Sequence, residues 1–116
     1  MIKASDLLEK KCQHQVNGLT DAEITAQLGA LDGWALQDGA ITKTYAFRNY
    51  YETLAFVNAI AYVIHAEDHH PELVVTYNRC IVKFNTHSVN GGRGGISEND
   101  FICAAKVDAI FQQSFA

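Results

Sequence analysis

One proline, one tryptophan and one methionine occur in this chain of 116 residues, and its three cysteines, Cys12, Cys80 and Cys103, form no CxxC pair. An odd set of thiols without close spacing excludes a secreted disulfide framework and a zinc knuckle, and it fits a reducing cytoplasm. No apolar run approaches the roughly 18 residues of a membrane span, and Lys3, Asp6, Glu9, Lys10 and Lys11 break up any secretory core near the start. Basic residues are scarce too. Nine Lys and Arg against thirteen Asp and Glu leave a formal charge of −4, so no electrostatic argument favours nucleic-acid phosphates. The expectation is a cytoplasmic protein with no direct nucleic-acid or membrane partner.

What is present fits one globular domain over residues 1–116, with residues 1–18 as an N-terminal arm, read as a helical turn or loose arm around Leu7 and Leu8. Thr20 and Glu23 form a capping box ahead of Ile24, Leu28 and Leu31, which predicts a helix near 20–30. Alternation from Ala40 to Phe47, preceded by Trp34 to Gln37 and a Gln37-Asp38-Gly39 turn, predicts a β-hairpin. Tyr50 to about Asp68 reads as a helix. Its Leu54 to Ile64 stretch holds only Asn58 as a polar side chain, so it needs cover on more than one side, and a second subunit is the expected cover. Pro71 predicts a helix stop at His69-His70. Leu73 to Tyr77 and Cys80 to Asn85 read as strands joined by a tight turn at Asn78-Arg79. Val89 to Gly95 reads as a mobile glycine loop, and Ser97 caps a last helix with Asp100 at its third position. The order α-β-β-α-β-β-α predicts an α+β, two-layer fold: a four-stranded antiparallel sheet with helices packed on it.

The chemistry gathers in Asp68-His69-His70-Pro71, Thr86-His87-Ser88 and Asp100. Imidazole holds or releases a proton near neutral pH, so three histidines in one small domain point to proton transfer. Two ordinary alternatives stand beside that reading. The His69-His70 pair also suits a solvated helix C-terminus, and an acid at Asp100 suits a first helical turn. His65 and His69 share i, i+4 spacing, with His87 as a conceivable third metal ligand, but no HExxH pattern accompanies them. The glycine loop lacks the ending of a phosphate-binding P-loop.

Asp68-His69-His70-Pro71-Glu72-Leu73, Tyr77, Thr86-His87-Ser88 and the Gly95 to Phe101 segment together resemble the pterin-4a-carbinolamine dehydratase family, also called the dimerisation cofactor of a hepatic homeodomain factor, in its bacterial form. The likeness spans about residues 20–111 and includes Gly33-Trp34 and Phe101 to Lys106. It implies a homodimer or homotetramer that dehydrates 4a-hydroxytetrahydrobiopterin, or a related pterin, to a quinonoid dihydropterin. No metal or other cofactor is implied, and a functional link to an aromatic amino acid hydroxylase is. It also implies catalysis by His69, His70 and His87, with the substrate held by Asp68, His69, His70, Asn85, Thr86, His87, Ser88 and Asp100. The alternative on the same fold is a non-enzymatic, protein-binding assembly cofactor. Two departures matter. His65 stands where family members carry a glutamate, leaving Glu67 or Asp68 as substitutes, and the 88–99 loop is longer than in close relatives, which bears on where Asp100 lies.

Overall fold

The computed structural model describes residues 2–116; Met1, the first residue of the expected arm, lies outside them. In chain order the elements are α1 (Ala4–Leu8), α2 (Asp21–Leu28), β1 (Ala35–Gln37), β2 (Ala40–Ala46), α3 (Tyr50–Glu67), β3 (Glu72–Val75), β4 (Arg79–Phe84) and α4 (Glu98–Ser114), with one short 3-10 turn at Asn90–Gly92. The strands form one antiparallel sheet in the order β1-β2-β4-β3, the expected α+β architecture. Among the described residues no helix is long and apolar enough to cross a membrane.

Strand alternation sets the layers. Ile41, Tyr45, Cys80, Val82 and Phe84 lie on one sheet face and are buried against the helices. Thr44, Arg79, Lys83 and Glu72 point to the other face, as the period of two requires. The hairpin between β1 and β2 closes at Asp38 and Gly39, both with positive φ (51° and 80°), the backbone that a two-residue turn needs. Phe56, Phe101, Ile60 and Ile102 complete the core from α3 and α4. Each large apolar side chain so buried contributes about 1.5–3 kcal/mol.

A polar clamp fixes α4 across the hairpin. Asp108 accepts hydrogen bonds from Trp34 Nε1–H (3.0 Å), Lys43 Nζ (2.8 Å) and the Tyr45 hydroxyl. Burial, and next the neighbouring Asp108 carboxylate, push the Tyr45 phenol far above its ordinary range, so it stays a donor.

Of the two forms expected for the arm, the helical turn is present, as α1, and its Leu7 is fully buried in the core. Other expectations are corrected. Helix α3 ends at Glu67, before the histidine pair, because Asp68 adopts the left-handed conformation (φ 49°) and the amides of Asp68 and His69 both turn back to the Ile64 carbonyl. Pro71 therefore follows a stop already made. Strand β3 ends at Val75, and Tyr77 sits in the turn stacked on Tyr50, because Arg79 already pairs with Ala46. The turn thus falls one residue earlier than expected, and β4 ends at Phe84 rather than Asn85.

The glycine segment expected to be a mobile loop is tied down. Asn90 accepts from Gly18 N–H (3.1 Å), donates to the Gly94 carbonyl (3.2 Å), and bonds Val16 through its own backbone (3.0 Å). A Cβ on either Gly18 or Gly95 would meet Asn90 Nδ2 at 2.9 Å, so glycine at those two positions permits the insertion.

Candidate active site

Three chain segments meet where α3 ends, β4 ends and α4 begins. The last of these is a helix N-terminus of unusual construction. Asp100 is fully buried, and its Oδ2 accepts the Ser97 N–H (2.9 Å) and the Thr86 hydroxyl (2.9 Å). Because Thr86 donates to the carboxylate, the Ser97 hydroxyl 2.7 Å away must donate to Thr86 Oγ1. The Ser97 hydroxyl proton is thereby committed to Thr86 while its oxygen can still accept, and the capping-box return from Asp100 to the Ser97 N–H is made. Thr86 is held in turn by paired backbone hydrogen bonds with Gly95 (2.8 and 3.0 Å).

Asp100 Oδ1 faces His69 Nε2 at 2.5 Å. A carboxylate can only accept, so this contact puts the His69 proton on Nε2 and leaves Nδ1 as the nitrogen open to exchange. The His69 side chain is 12% exposed, and its ring lies nearly parallel to Phe84 (8° between planes, centroids 5.9 Å apart). Aromatic packing and the carboxylate thus fix the ring from two sides.

Two adjoining cavities open at His69. The smaller, about 260 Å³, is lined by Asp68, His69, His70, Asn85, Thr86, His87 and Ser88. The structure therefore gathers every expected site residue except one into a single recess. The exception is Asp100, which lines neither this nor the larger cavity and reaches them through its bonds to His69 and Thr86, which line both. His70 is mostly exposed, 3.7 Å from the solvated Asp68 carboxylate, and His87 is exposed at the rim. Tyr77 and His65 line neither cavity. Among the described residues no three His, Cys, Asp or Glu side chains converge as a metal site.

The larger cavity, about 370 Å³, shares Asp68, His69, Thr86 and Ser88 with the first and adds Cys12, Gln13, His14, Gln15, Glu67 and Asn99. Sequence reasoning had not placed the arm residues or Asn99 at the site, since the bonds that bring them there join positions 55 to 86 residues apart. Glu67, a candidate to replace the family glutamate, is committed elsewhere: Oε1 accepts the Cys12 N–H (2.7 Å) and Oε2 pairs with Lys106 (2.7 Å). Burial alone would raise its carboxyl, but the Cys12 N–H and Lys106 outweigh that and hold it below the ordinary value. Close by, Cys103 lies 3.5 Å from Cys12, whose contact, followed by burial, pushes the Cys103 thiol far up, so it is inert as a thiolate.

One imidazole held on a buried carboxylate, beside two more on a polar recess, is an arrangement whose groups can take up and release protons, and it sits in a chain of the α+β fold class. Comparison with known proteins defines the class further. The profile of the pterin 4 alpha carbinolamine dehydratase family matches residues 17–110. A protein of Bdellovibrio bacteriovorus, provisionally named a pterin-4-alpha-carbinolamine dehydratase, is 60% identical over 116 residues, covering 100% of this chain and 97% of its own. One of Nitrosospira multiformis with the same provisional name is 50% identical over 103 residues, covering 89% of this chain and 88% of its own. A crystal structure from Brucella melitensis, described as a transcriptional coactivator/pterin dehydratase, superposes with a TM-score of 0.74 at 38% identity, over 81% of this chain and 98% of that one. The chain belongs to the pterin 4 alpha carbinolamine dehydratase family, and it is an enzyme of the dehydratase type.

The Glu67 pair makes stability pH-dependent. Its folded pKa lies below the ordinary value of 4.5, so its contribution is complete above that value and is lost as pH falls through the folded-state pKa. Urea unfolding between about pH 6 and about pH 3 should show a shallower loss of stability for Glu67→Gln than for the parent chain. Parallel pH curves would contradict the assignment.

Proposed function

We propose that this chain dehydrates a 4a-hydroxytetrahydropterin to the quinonoid dihydropterin by histidine acid–base catalysis, in the recycling of tetrahydropterin alongside an aromatic amino acid hydroxylase. The observation that carries the proposal is the His69–Asp100 pair set at the junction of the two cavities. Loss of water from C4a needs a proton on the departing oxygen while the N5 proton leaves to a base, so that the C4a–O bond breaks and a C4a=N5 bond forms. His69 takes the N5 proton on Nδ1, and the Asp100 carboxylate offsets the positive charge that then develops on the ring. His87, at the rim of the smaller cavity, protonates the leaving oxygen. His70 orients the substrate together with Asp68, Asn85, Thr86 and Ser88. The chemistry needs no metal or redox partner.

We further propose that the chain works as a homodimer or homotetramer in the cytoplasm. Tyr51, Leu54, Asn58 and Tyr62 recur along one exposed, uncharged face of α3, with Tyr51 83% and Tyr62 75% exposed. The same face supports the second reading, a non-enzymatic binding or assembly role, which the description of the Brucella protein as a coactivator also favours.

Two measurements test these proposals. In a dehydration assay on freshly generated 4a-hydroxytetrahydropterin, His69→Ala and His87→Ala should each lower kcat by about 10²- to 10⁴-fold, whereas His70→Ala should act mainly on KM. Full kcat in either of the first two would sink the assignment, and neither turnover nor pterin binding by the parent chain would favour the binding role. In light scattering, Tyr51→Glu/Tyr62→Glu should reduce the assembly to a smaller species. An unchanged mass would remove α3 from the interface.

A further inference from the structure

The larger cavity has a wall in which the acid–base machinery has no part, formed by residues Cys12 to Gln15 of the N-terminal arm. Three of these side chains, Gln13, His14 and Gln15, carry hydrogen-bonding groups. They line the same cavity as His69, Asp68, Thr86 and Ser88, whereas His87 and His70 line only the smaller one.

Backbone hydrogen bonds hold the arm in this position. The Gln13 N–H donates to Asn99 Oδ1 (3.0 Å), and Asn99 Nδ2 donates to the Gln13 carbonyl (2.7 Å), so one side-chain amide occupies both polar groups of a single residue as a neighbouring strand would. Asn99 is 7% exposed. One residue earlier, the Cys12 N–H is taken by Glu67. Both anchors adjoin the catalytic pair: Asn99 precedes Asp100, and Glu67 lies two residues before His69. The helix ends that set the histidine therefore also set the position of the arm beside it.

We propose that residues 13–15 form a substrate-binding wall, with Gln13 and Gln15 hydrogen-bonding the polar edge of the heterocycle, and that Asn99 is the positioning residue that holds this wall against His69. The inference rests on the reading of the cavities as a pterin site. Two carboxamides offer both donors and acceptors, the complement of a fused pyrimidinone whose edge alternates amine, ring nitrogen and carbonyl. The arm thus sets affinity, while the proton transfers stay with the histidines. Fixing it in advance lowers the ordering cost on binding.

The test uses the full chain, with steady-state dehydration and with 7,8-dihydrobiopterin as a stable binding probe. Gln13→Ala/Gln15→Ala should raise KM and the probe Kd about tenfold, a loss of about 1.4 kcal/mol, with a much smaller change in kcat. Asn99→Ala should do the same and also speed amide hydrogen exchange at residues 12–15, which the glutamine variant leaves protected. If the parent chain turns over and the glutamine variant keeps its KM and Kd, the arm is not a binding wall and the inference fails while the dehydratase reading stands. If the Asn99 variant keeps a protected arm and its KM, Asn99 is not the positioning residue. If the parent neither binds the probe nor turns over, the pterin reading falls and takes the proposed substrate class with it.

Discussion

A buried carboxylate is the constraint around which this molecule is arranged. Asp100 has no exposure to water, and an unsatisfied charge in that position would cost several kcal/mol. Its partners come from three places: the amide of Ser97 where α4 begins, the hydroxyl of Thr86 just after β4, and the imidazole of His69 just after α3. Satisfying one side chain therefore fixes three element ends relative to each other, and the recess forms between them. The 88–99 segment that leads into Asp100 is held at both ends of its course: Thr86 and Gly95 pair across its base and Asn90 pins its tip to Val16 and Gly18.

A second carboxylate plays a related part farther along α4. Asp108 ties the helix to Trp34, Lys43 and Tyr45 of the β1–β2 hairpin. With Asp108 clamping the helix to the hairpin and Asp100 linking its start to β4 and α3, helix α4 cannot slide along the sheet without leaving one of these acids unpaired. The arm then packs on α4 through Leu7, Cys12 and Gln13 and supplies part of the lining of the larger cavity.

The element order, the sheet and the helix caps were legible because each has a local cause: alternation in β2, the Thr20–Glu23 box, the Asp38-Gly39 turn. So was the grouping of Asp68, His69, His70, Asn85, Thr86, His87 and Ser88, through the family resemblance. The role of Asp100 was half legible. Its spacing from the buried Cys103 and Val107 puts it on the inner side of α4, yet first-turn acids are commonly solvated, and only the fold brings His69 within reach across 31 positions. The arm was illegible for the same reason: a polar stretch looks loose until Asn99 and Glu67 pair with its backbone. The glycine segment misled because composition reports conformational freedom, whereas here Gly18 and Gly95 make room for Asn90.

The central claim is that Asp100 holds His69 with the proton on Nε2, leaving Nδ1 to exchange with the substrate. Nitrogen-15 NMR of histidine-labelled protein, at a pH where the ring is neutral, reads this directly. The account predicts that His69 is the Nε2–H tautomer, with the bare nitrogen at Nδ1. A His69 ring carrying its proton on Nδ1 would require Asp100 to be the donor, and would contradict it.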